Sequence, residues 1–120
     1  MKAALLISHG SHSSELKQEI VDLIAKMQIQ INIPIFEYAF LEIERPTIQE
    51  GIDSCVKKGA NDIMILLNFL NSGKHVDEDI PRIVQNAKRK YPHVKFTLSR
   101  PIGQHDHIAD LFADLLKKSI

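Results

Sequence analysis

Four short apolar runs, each followed by a segment of helical periodicity, constrain this chain more than any other feature. Ala3 to Ile7 is a compact apolar run that ends in the polar cluster Ser8-His9-Gly10-Ser11, which predicts a buried strand and its exit loop. From Ser14 to Gln28, Leu16, Ile20, Leu23, Ile24 and Met27 recur at helical spacing and form one stripe. Pro34 to Glu42 is β-branched and aromatic, the signature of a second strand. Thr47-Ile48-Gln49-Glu50 spells a capping box, so a helix should run to about Lys58 with Gly59 as its left-handed stop. Asp62 to Phe69 predicts a third strand. Ile80, Ile83, Val84, Ala87 and Tyr91 mark a third helix, in which Pro81 is tolerable because it falls in the first turn. His93 to Ser99 is expected as a fourth strand, and Ile108, Leu111, Phe112, Leu115 and Leu116 stripe a final helix.

The order βαβαβαβα implies an α/β fold, a flavodoxin-like βα repeat whose four-stranded parallel sheet carries helices on both faces. At 120 residues it is expected to be a single domain, 1–120. Fifteen basic residues balance fifteen acidic ones, so no global field favours nucleic acid or an anionic membrane. The lone Cys55 excludes an internal disulfide and suits a small core position. The apolar run after Lys2 is too short for a signal core or a membrane span, which makes a cytoplasmic location the expectation. Neither a GxGxxG nor a Walker A motif occurs, so nucleotide chemistry is not implied.

In parallel sheets ligands bind outside the carboxyl ends of the strands, near a topological switch point. The chemically unusual residues fall there. His9 follows strand one, and His75 lies in the loop after strand three. Glu42 is expected to close strand two, sharing a face with Phe36, Tyr38 and Phe40 by period-two alternation. Two imidazoles and a carboxylate suit a divalent first-row metal with coordination positions left open. Each residue also has a plainer reading. His9 suits a structural hydrogen-bonding role, Glu42 an exposed pair with Arg45, and Asp77, Glu78 and Asp79 a favourable interaction with a helix dipole. Ser8, Gly10 and Ser11 form a loop suited to an anion near a helix start. His12 reads as decoration or a partner of His9, His93 as surface, and His105 and His107 as turn and capping residues.

The motifs together resemble the class II chelatases of the sirohydrochlorin cobaltochelatase and ferrochelatase group, in their short archaeal-type form. The matching pieces are Leu6 to Ser11, Ala39 to Glu42 with Arg45 to Ile48, Leu67 to Pro81, and Pro101 to Leu111, in family order across almost the whole chain. The resemblance implies insertion of a divalent metal, Co²⁺ first and Fe²⁺ or Ni²⁺ as alternatives, into sirohydrochlorin. It matches His9 and His75 to the metal-binding and catalytic histidines and Glu42 to the active-site glutamate. It implies a homodimer and no cofactor beyond the substrate metal. Arg45, Lys74 and the N–H groups near Gly10 are the expected anchors for the substrate's carboxylates. One departure stands at Asn68, where a proline is expected before the aromatic residue.

Two other classes compete. A phosphotransferase-system phosphocarrier would use His9 but leaves Glu42 and the stretch from Gly73 to Pro81 without a role. A non-catalytic metal-binding module would bind the ion without turnover.

Overall fold

The computed structural model describes all 120 residues. Strands β1 (Lys2–Ser8), β2 (Ile35–Phe40), β3 (Asp62–Leu67) and β4 (Lys95–Pro101) alternate with helices α1 (Glu15–Gln30), α2 (Ile48–Lys57), α3 (Ile80–Lys90) and α4 (Ile108–Ser119). The sheet is wholly parallel in the order β2-β1-β3-β4. The chain therefore winds one way from β1 to β2 and the other way to β3 and β4, which sets the switch point between β1 and β3.

Strand β1 is central, and its run from Ala3 to Ile7 is buried on both sides. Ala3, Leu5 and Ile7 join Ile63, Ile65 and Leu67 of β3 in the main core, closed by Ile48, Ile52 and Cys55 of α2 and by Ile80, Val84 and Ala87 of α3. Truncating a side chain such as Leu5 to Ala there should cost about 2–5 kcal/mol. Burial also pushes the Cys55 thiol up to about 12, so this cysteine is an inert core residue. On the opposite face Ile20 and Ile24 of α1 pack on Leu6 and Phe40. Helix α2 starts as the sequence predicts: Thr47 and Glu50 exchange both bonds of a capping box, and Gly59 takes φ +103° just beyond its end.

Three differences from expectation matter most. Strand β2 ends at Phe40, so Glu42 belongs to the following loop and not to the strand face of Phe36, Tyr38 and Phe40. The helical path into α3 starts earlier than its apolar stripe, in a π-helical turn from His75 to Asp79 where the Ile80 N–H donates to the His75 carbonyl. Pro81 is then the second residue of α3.

The third difference is α4. Its helix forms as predicted, but Leu111, Phe112, Leu115 and Leu116 are 59–66% exposed on one face. The helix packs chiefly on the 3₁₀ turn Ile102–Gln104 that precedes it. The protein is accordingly drawn out to 52 × 32 × 30 Å, with a radius of gyration of 15.0 Å. A compact chain of this length would have roughly 13–14 Å. The α1 face of β3 and β4 is left as a groove of about 510 Å³, floored by Leu6 and Leu66 and walled by Leu23, Met27 and Ile102. No helix is long and apolar enough to cross a membrane.

Candidate metal centre

His9, Glu42 and His75 meet at the carboxyl edge of the sheet, each offering a ligand atom within 4.8 Å of the others. The His9 and His75 ring centroids are 5.3 Å apart. Ligand atoms on one first-row ion stand about 3–4 Å apart, so a shift on the order of 1 Å would close the set. All three side chains remain 39–51% exposed, which leaves the outer side of the cluster open.

The segment carrying Glu42 is fixed by backbone bonds although it is no longer strand. The Leu41 N–H donates to the Ser8 carbonyl at 2.9 Å, and the Glu42 N–H to the His9 carbonyl at 2.9 Å. The Glu44 N–H then donates back to the Glu42 carbonyl at 2.7 Å, with Ile43 between them at φ 72°. This is a γ-turn with its central residue in a region that β-branched side chains avoid. The Glu44 carboxylate secures the turn by accepting the Ser11 N–H at 2.9 Å. Gly10 makes the packing possible. It holds φ +109°, and a Cβ there would stand 2.0 Å from the Glu42 carbonyl oxygen.

His9 Nδ1 lies 3.3 Å from the Gly10 carbonyl and Nε2 lies 3.3 Å from Glu42 Oε2. With the hydrogen on Nδ1, an imidazole lone pair and a carboxylate face one another, an arrangement completed by a proton or a metal ion. His75 Nδ1 is 2.8 Å from Asp79 Oδ2, which leaves Nε2 as its other ligand atom. On the β3 side the Asn68 N–H donates to the Ile7 carbonyl at 2.9 Å, and its amide donates to Ser8 Oγ at 3.0 Å. A proline at position 68 could make neither bond.

Of the expected anchors, Ser8, Ser11 and Arg45 have partners within the chain. Ser8 is buried beneath Asn68, so its hydroxyl braces the loop and does not face the open side. The Ser11 N–H is taken by Glu44, which supplies from within the chain the anion expected there. Arg45 pairs with Glu50 of the capping box and not with Glu42; the guanidinium, then the Thr47 N–H, hold the Glu50 carboxyl down at about 2. Lys74 Nζ is exposed and 4.0 Å from Asp79. His107 Nδ1 pairs with Asp110, and His105 Nδ1 accepts the His107 N–H, the local roles expected of them.

Asp79 is a further residue of the site that was not among those expected. Grouped with Asp77 and Glu78 as helix-start acid, it alone of the three bonds a proposed ligand. The spacing His75-x-x-x-Asp79, one helical turn, was the available signal.

The CbiX family model matches residues 3–119. The chain belongs to the CbiX family. It is 38% identical over 120 residues to the sirohydrochlorin cobaltochelatase of Priestia megaterium, covering 99% of this chain and 39% of that protein. It is 32% identical to the sirohydrochlorin cobaltochelatase of Sulfolobus acidocaldarius, covering all of this chain and 94% of that one. This CbiX chain spans only 39–50% of four other curated chelatases it matches, the Priestia cobaltochelatase included. Among solved structures it is similar to the sirohydrochlorin chelatase SirB from Bacillus subtilis subspecies spizizenii in complex with cobalt, with a TM-score of 0.87 and 29% identity over 98% of this chain and 50% of that one. A CbiX protein from Marinobacter aquaeolei shares the fold over 97% of its length, at a TM-score of 0.81 and 20% identity.

Proposed function

We propose that this chain is a sirohydrochlorin chelatase, a cytoplasmic enzyme that inserts a divalent metal ion into the free-base macrocycle. The observation that carries the reading is the convergence of His9, Glu42 and His75 within 4.8 Å at an open sheet edge. Relatives with cobalt and iron in their names support Co²⁺ first and Fe²⁺ next, with Ni²⁺ as a third candidate.

Insertion joins M²⁺ to the ring and releases two pyrrolic protons. The His9–Glu42 pair suits both halves of that exchange, because the position between Nε2 and the carboxylate takes either a metal or a proton. His75 Nε2 supplies the third ligand, and the exposed side of the cluster leaves room for water or a ring nitrogen. Lys74, Arg45 and the N–H groups around Gly10 remain the candidate anchors for substrate carboxylates, with Arg45 required to leave Glu50 and the Ser11 N–H to leave Glu44. A phosphoryl group on His9 Nε2 would meet the Glu42 carboxylate at once, which weighs against the phosphocarrier reading.

A second copy of the chain is the partner that suits the uncovered surfaces. The stripe on α4 leaves on the order of 400 Å² of apolar area in water, as much as the largest patch on an ordinary monomer. Two stripes seated in two grooves would remove on the order of 1,600 Å², the size of a stable interface. Helix face and groove occur on the same chain, so a twofold exchange satisfies both.

The activity is tested by anaerobic incubation with sirohydrochlorin and each of Co²⁺, Fe²⁺ and Ni²⁺, followed by absorption. The expected result is acceleration over the uncatalysed rate with at least one metal, lowered about 10²- to 10⁴-fold in His9→Ala and His75→Ala. No acceleration with any metal, or undiminished rates in both variants, would contradict the proposal.

A further inference from the structure

Asp79 is distinguished from its acidic neighbours by what surrounds it. Oδ2 lies 2.8 Å from His75 Nδ1, while Oδ1 lies 3.2 Å from Arg82 Nη2 and 4.0 Å from Lys74 Nζ. Its side chain is 13% exposed, against 67% and 76% for the two cations. Flanked by two cations on Oδ1, the group faces His75 as a carboxylate, which accepts and does not donate.

A carboxylate 2.8 Å from Nδ1 requires the hydrogen on that nitrogen. Nε2 is then left with a free lone pair. His9 has no such partner behind it, only the Gly10 carbonyl at 3.3 Å. We propose that Asp79 is a positioning residue that holds His75 as its Nδ1–H tautomer, so that Nε2 stays free to take a divalent metal ion. The inference rests on His75 being a metal ligand, as proposed above. The π-helical turn sets the register, carrying His75 and Asp79 on one side while the Ile80 N–H closes on the His75 carbonyl.

The pairing on Oδ1 makes one substitution diagnostic. In Asp79→Asn, Arg82 and Lys74 retain an oxygen on their side, which turns the amide NH₂ toward His75. A donor facing Nδ1 drives the hydrogen to Nε2 and closes the ligand position. Asp79→Ala only releases the ring. The near-isosteric change is thus expected to do the greater harm, and adding Arg82→Met should relieve it by letting the amide turn over.

The test uses the full chain without tetrapyrrole: ¹⁵N NMR of the histidine rings together with Co²⁺ titration. Wild type should show His75 as Nδ1–H. Asp79→Asn should show Nε2–H and bind Co²⁺ about 10- to 100-fold more weakly, with partial recovery in the double variant. A purely structural Asp79 would lower the Tm of the variant but leave tautomer and Co²⁺ affinity unchanged, and that result overturns the proposal. His75→Ala separates the two levels of inference. If it binds Co²⁺ as tightly as wild type, the metal-site reading fails and takes this proposal with it. If it binds weakly while Asp79→Asn does not, the role of Asp79 alone is overturned.

Discussion

At the carboxyl edge of the sheet, backbone hydrogen bonds tie the segment bearing Glu42 to the one bearing His9, Glu42 to His9 and Leu41 to Ser8, and tie the start of the connection leading to His75 to β1, Asn68 to Ile7. Elsewhere the reverse holds: an apolar groove lies open on the α1 face of β3 and β4, and Leu111, Phe112, Leu115 and Leu116 of α4 stand in solvent. The first region is specified by directional bonds within one chain. The second has only non-directional apolar surface, which becomes stable when another surface covers it. Site and interface should therefore respond independently to substitution.

Gly10→Ala should have the largest effect. Its Cβ would overlap the Glu42 carbonyl, and φ +109° adds strain of about 1–3 kcal/mol. The loop must move, separating Glu42 from His9. Co²⁺ affinity and insertion rate are expected to fall by at least tenfold while the helical circular dichroism persists; retained affinity would break the claim that backbone packing builds the site. Leu115→Asp is the complementary change. Sedimentation should show a wild-type dimer and a variant monomer whose Co²⁺ affinity stays within about threefold of wild type. A wild-type monomer would remove the α4 exchange, and lost Co²⁺ binding in a folded monomer would show that site and interface are coupled. The smallest effect belongs to the Arg45–Glu50 pair beside the capping box. Glu50 is lowered from 4.5 to about 2, so the stability it contributes is present above pH 4.5 and is lost as pH falls toward 2. Glu50→Gln should lower the Tm slightly at pH 7, with the gap to wild type closing over that acid window; a gap independent of pH would assign the effect to capping alone.

The α/β order and the parallel sheet were legible because Ala3–Ile7 and the β3 residues are continuous apolar runs, while α2 and its Thr47–Glu50 box follow a local rule. His9 was legible because it lies just past the end of β1, and His75 because it lies in the connection that follows β3. For Glu42 the expectation rests on alternation along β2, which stops at Phe40; the residue meets His9 from a loop that makes a γ-turn at Ile43. No periodicity encodes that turn, which depends on the missing Cβ of Gly10 across the gap. The fate of Ser8 and Ser11 was likewise beyond local pattern, since Asn68 and Glu44 come from distant segments. The stripe on α4 revealed a helix, but a stripe does not say which surface covers it.

The central claim is that His9, Glu42 and His75 of one chain hold the substrate metal. Its most direct test is the position of cobalt in crystals of the Co²⁺-loaded protein, read from the anomalous signal at the cobalt edge. A peak is expected about 2 Å from His9 Nε2, His75 Nε2 and a Glu42 carboxylate oxygen. Cobalt bound instead at His105 and His107, or bound with any of the three side chains turned away, would contradict it.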